Sequence, residues 1–76
     1  MSREAILNKV IELFATMTEA DVMEDSEIRE ELDLSSMDVL FLISSIEEEF
    51  MFKIPEKAIR KIETVGDVAD IIDGLM

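Results

Sequence analysis

Ser35-Ser36-Met37-Asp38-Val39-Leu40-Phe41-Leu42-Ile43-Ser44-Ser45-Ile46-Glu47-Glu48-Glu49-Phe50 places its apolar residues at helical spacing. At about 100° per residue, Val39, Leu42, Ile43, Ile46 and Phe50 gather within about 50° of one direction and predict a buried stripe. Ser35 followed three residues later by Asp38 resembles a reciprocal N-terminal cap, so the helix starts at the two serines and runs to about Phe50. On the opposite side lie Met37, Phe41, Ser44 and Glu48, flanked by Leu40 and Glu47. For a face turned to water this is unusually apolar.

Upstream, Thr18 to Leu34 loses helical periodicity. An acidic stretch (Glu19, Asp21, Glu24, Asp25) precedes Ile28, Leu32 and Leu34 at wider intervals. Loops beyond about 12 to 15 residues are uncommon in compact folds unless something holds them, and Ile28 and Leu32 are the expected pins. Before it, Ile6, Val10, Leu13 and Met17 form one helical row and Leu7, Ile11 and Phe14 a second, with Ser2 as the expected N-cap. Downstream, Met51 and Phe52 are expected to close the core near Ile54. Pro55 suits the first turn of a short helix contributing Ala58, Ile59 and Ile62. Thr64 with Asp67 marks a further cap, from which Val65, Val68, Ile72 and Leu75 step along a final helix. The expected fold is all-α: a small bundle of three main helices plus one short helix, with a long first loop, forming one domain over residues 1–76.

Composition narrows the function. Seven basic residues against nineteen acidic ones leave a net charge of −12, which argues against nucleic acid or an anionic membrane as partner and favours basic protein surfaces. Cysteine and histidine are both absent, so the chain has no thiolate, no imidazole base and no soft metal ligand. Self-contained catalysis is not expected, and any thiol chemistry requires a borrowed thiol. No stretch approaches the roughly 20 apolar residues of a membrane span, and the start Met-Ser-Arg-Glu lacks the apolar run of a signal peptide, so a cytoplasmic monomer is expected. The acids Glu19, Asp21, Glu24 and Asp25 lack the alternating ligands and central glycine of a calcium loop, and no metal site is expected.

Ser36-Met37-Asp38, continuing through Ile46-Glu47-Glu48-Glu49-Phe50, then Ile54-Pro55 and Ile62-Glu63-Thr64-Val65-Gly66-Asp67, resembles the acyl carrier protein family over nearly the whole chain. The resemblance implies that Ser36 is the attachment point of 4'-phosphopantetheine, transferred from coenzyme A by a separate magnesium-dependent phosphopantetheinyl transferase. The arm's thiol would hold acyl groups as thioesters in fatty-acid or specialised, polyketide-type biosynthesis. Aminoacyl cargo would hang from the same arm. A helix N-terminus also favours a phosphate, and Ser35 can take the cap and leave the Ser36 hydroxyl free. The resemblance further implies a lipid-chain pocket between the helices.

Three positions depart from the family pattern. Ser35 stands where the family usually has Asp, which bears on recognition by a general transferase and leaves two adjacent hydroxyls as candidates. Asp33 stands where it usually has Gly. Phe41 replaces a frequent glutamate: either it folds back onto the long loop, or it joins Met37 and Leu40 as the apolar centre of a docking face rimmed by Asp38, Glu47, Glu48 and Glu49. Such a face would select partner enzymes with an apolar socket among basic residues. The competing reading is an adaptor that uses Met37, Leu40 and Phe41 and is never modified.

Overall fold

The computed structural model describes residues 2–75. Four helices follow in order: α1 (Arg3–Ala15), α2 (Ser36–Phe50), α3 (Glu56–Ile59) and α4 (Val65–Leu75). No named strand occurs among the described residues, only an isolated antiparallel bridge between Glu27 and Thr64. The all-α expectation therefore holds, including the long first loop.

α1 begins where Ser2 accepts a hydrogen bond from the Ala5 N–H at 3.2 Å, as the cap signature requires. The two apolar rows share the work unequally. Ile6, Val10 and Phe14 are fully buried, while Leu7, Ile11, Leu13 and Met17 pack around them half-buried. α1 lies against both α2 and α4, and its central row meets Leu42, Ile43 and Ile46 of α2 and Val65, Val68, Ala69 and Ile72 of α4 in one core. Each large side chain removed from water in this way contributes roughly 1.5 to 3 kcal/mol before the entropy of ordering it is deducted.

The long loop is held as firmly as its apolar residues promised. Ile28, Leu32 and Leu34 are buried. The helix it leans on supplies the rest: the Val65 N–H donates to the Ser26 carbonyl at 3.1 Å and the Gly66 N–H to the Glu24 carbonyl at 2.7 Å. These first-turn donors of α4 have no partner within their own helix, so the loop satisfies them and is anchored by the same bonds. Arg3 ties the three pieces together, reaching Asp70 on α4 at 2.6 Å and Glu24 on the loop at 2.9 Å. Those two carboxylates, Asp70 before Glu24, hold its guanidinium pKa above the ordinary value.

Two expectations are corrected. Met51 does not close the core: it is 89% exposed and takes the left-handed conformation, φ 59°, that ends α2. Phe52 packs against the core instead, with its ring edge-on to Phe50 at 6.3 Å. Leu75 completes the helical step of α4 as expected and stands exposed at its end. Pro55 sits at the N-cap of α3 rather than inside its first turn.

Candidate functional site

The mouth of α2 is built by division of labour between two serines. The Ser35 hydroxyl accepts from the Asp38 N–H at 3.2 Å, and the Asp38 carboxylate accepts from the Ser35 N–H at 3.0 Å, closing the reciprocal cap. Ser36 is thereby left out of the capping bonds and exposed. Its hydroxyl oxygen instead accepts from Arg29 Nη2 at 3.3 Å.

Sequence reasoning passed over Arg29. It lies seven residues before Ser36 in a loop without periodicity, and only the path of that loop brings the two together. The available signal was chemical: a lone arginine among Glu27, Glu30 and Glu31. Those acids crowd one another. A side-chain hydrogen bond with Glu30, then the charge of Glu30, burial, and the charges of Glu31 and Glu63, hold the Glu27 carboxyl above its ordinary pKa.

Beside Ser36 opens a cleft of about 620 Å³ between the loop, α2 and α3. Ile28, Val39, Leu40, Ile59 and Ile62 give it apolar walls, and Arg29, Glu30, Glu56, Arg60 and Glu63 give it a charged rim. The short helix α3 matters for this reason, since it supplies Glu56 and Ile59 to the cleft.

Of the residues expected on the outer face of α2, Met37, Leu40 and Phe41 are 74%, 51% and 65% exposed, so Phe41 does not fold back onto the loop. Glu48 and Glu49 are exposed, and Glu49 pairs with Lys9 of α1 at 2.9 Å. Asp38 and Glu47 are half-buried and already engaged. Asp38 serves the cap, and Glu47 accepts from the Ile54 N–H at 2.7 Å, fixing the turn that leads to α3. Asp33, where the resembling family favours glycine, has φ 53°. The left-handed turn is thus kept, with an aspartate that tolerates it.

The residues fit a phosphodiester-linked arm: a solvent-facing hydroxyl at a helix N-terminus, free of capping duty, with a guanidinium beside it. Among the described residues no group of three or more carboxylates is arranged to hold a metal ion. No helix there is long and apolar enough to cross a membrane.

Comparison with known proteins agrees. The sequence matches the phosphopantetheine attachment site family over residues 8–72. It is 37% identical over 75 residues to the acyl carrier protein of Lactobacillus acidophilus, covering 95% of this chain and 94% of that protein. It is 36% identical over 75 residues to the acyl carrier protein of Rubrobacter xylanophilus, with 95% and 93% covered. The fold superposes on the acyl carrier protein from Enterococcus faecalis with a TM-score of 0.78 and 30% identity, over 96% of this chain and 98% of that one. The chain belongs to the acyl carrier protein family. Proteins of this family are carriers, not catalysts, and work with partner enzymes.

Proposed function

We propose that the protein carries acyl groups as thioesters on a 4'-phosphopantetheine arm attached through Ser36. The observation that carries this reading is the free, exposed Ser36 hydroxyl at the mouth of α2, with the cap formed by its neighbour Ser35. In the attachment step, catalysed by a separate transferase with magnesium, the Ser36 oxygen gives up its proton and bonds to the phosphorus of coenzyme A that carries the pantetheine. The leaving group is the adenosine bisphosphate portion. When bound, the arm supplies the thiol that this cysteine-free chain lacks. The chain's own part is to present the hydroxyl, to offer the apolar cleft beside it as shelter for a short acyl chain, and to dock on the enzymes that use the cargo.

The outer face of α2 supports a role in a specialised, polyketide-type pathway of the cytoplasm over bulk fatty-acid synthesis. Met37, Leu40 and Phe41 stand out from the surface, with Asp38, Glu47 and Glu48 around them. A cognate enzyme then needs an apolar socket as well as basic residues, because a purely basic surface leaves most of the apolar area of Met37, Leu40 and Phe41 unburied. The chain with coenzyme A, magnesium and a broad-specificity phosphopantetheinyl transferase is expected to gain one arm by mass, and Ser36→Ala none. Comparison of loading then tests the pathway: turnover by fatty-acid synthase partners equal to that by polyketide-type enzymes would overturn the specialised assignment.

A further inference from the structure

The side chain that touches Ser36 is a cation whose charge no carboxylate among the described residues has claimed. Arg3 is held by Asp70 and Glu24, Lys9 by Glu49, and Arg60, across the cleft, by Glu56 at 2.9 Å. Arg29 takes part in no ion pair among the described residues, although three glutamates are its near neighbours in sequence. None of their carboxylates lies within ion-pairing distance of Arg29, and the Glu31 carboxylate accepts from the Glu27 N–H at 3.2 Å instead. At the helix mouth the Asp38 carboxylate is turned to the Ser35 N–H, and the residue preceding Ser36 is neutral. One guanidinium donor, Nη2, is thus directed at the oxygen on which the proposed arm would be built.

We infer that Arg29 is the phosphate-binding residue of the attached arm. The inference rests on Ser36 being the attachment point. A phosphodiester there adds a negative charge to a chain of net charge −12, so it is repelled by its surroundings unless a local cation compensates. Its non-bridging oxygens lie two bonds beyond the Ser36 oxygen, within the reach of a guanidinium that already contacts that oxygen at 3.3 Å. Arginine's planar fork can meet two such oxygens with two parallel N–H bonds, a fixed geometry that lysine lacks. Holding the phosphate from the loop side fixes where the arm begins: over the cleft bounded by Ile28 and Leu40, rather than over the outer face of α2 where Met37 and Phe41 stand. Arg29 is in this sense a positioning residue for the arm and has no part in the chemistry of the thioester.

The test is phosphorus NMR on holo protein made with coenzyme A and a transferase, with the modified residue located by peptide mass. The single phosphodiester resonance is expected to move in Arg29→Gln, to move less in Arg29→Lys, and to stay in place in Lys61→Gln, which removes the same charge from an exposed position outside the cleft. Raising the salt concentration is expected to bring the parent's resonance toward that of Arg29→Gln. A resonance at the same position in the parent and Arg29→Gln, on protein modified at Ser36, would overturn the role of Arg29 and leave the carrier assignment standing. Failure of any chain to gain mass would overturn both.

Discussion

Ser35 and Asp38 exchange two hydrogen bonds, 3.2 and 3.0 Å long, each closing the other's backbone N–H at the start of α2. The pair separates structure from function at adjacent positions: the first serine holds the helix, and the second is free to be modified. In an ordinary helix start a single serine would do the first job and be lost to the second.

Ser35→Ala is therefore expected to lower stability by about 1 kcal/mol, the usual loss when a capping hydroxyl is removed. Ser36→Ala is expected to stay within about 0.5 kcal/mol of the parent, as for exposed positions generally. Denaturant midpoints measured on unmodified protein check the pair. Equal losses at both serines would show that the cap is shared.

Gly66 is expected to resist replacement. A Cβ there would lie 2.8 Å from Glu24 Cγ and 3.0 Å from the Glu24 carbonyl oxygen, and the Gly66 N–H bond to that carbonyl, 2.7 Å, keeps the loop from backing away. Gly66→Ala should cost about 1 to 2 kcal/mol, overpacking outweighing the gain in helix propensity. Gly74, with nothing within 4 Å of its would-be Cβ, is the control: Gly74→Ala should be neutral or stabilising by up to about 1 kcal/mol.

Met51 occupies a left-handed position, φ 59°, that a glycine would take without strain, and its side chain is exposed. Met51→Gly is expected to stabilise the protein by about 1 kcal/mol. Thermal unfolding of the two chains side by side is sufficient, and a loss of stability would show that the Met51 side chain has contacts that its exposure conceals.

Stability should rise as pH falls from neutral toward the ordinary glutamate range. The Glu27 pKa is raised in the folded chain, first by its hydrogen bond with Glu30 and by the charge of Glu30. The folded state therefore binds this proton more readily than the unfolded state. The repulsion is fully present above the folded pKa and relieved as pH drops through it. Glu27→Gln is expected to flatten this rise. The same net charge of −12 predicts a melting temperature that increases with salt or magnesium, and a flat response would show that repulsion among the acids is unimportant.

Much of this is legible in the sequence, because three helical periodicities and three caps leave few arrangements. The stripe through Leu42, Ile43 and Ile46, the cap at Ser35 and Asp38, and the pins at Ile28 and Leu32 are local patterns, and each reappears in the structure. The failures share a cause. Met51 is apolar and reads as a core residue, yet its backbone ends the helix in the left-handed conformation and its side chain stands in water. Arg29 was silent because its meeting with Ser36 depends on the route of an irregular loop. At Phe41 two outcomes were open, and the exposed one is realised.

The most direct measurement is the intact mass of the protein isolated from the cells that make it, followed by mapping of the Ser35–Ser36 peptide. The account predicts a population carrying one phosphopantetheine on Ser36, with any cargo visible as a further increment on the arm. A chain recovered only in its unmodified form from cells with an active transferase, or an arm found on Ser35, would contradict it.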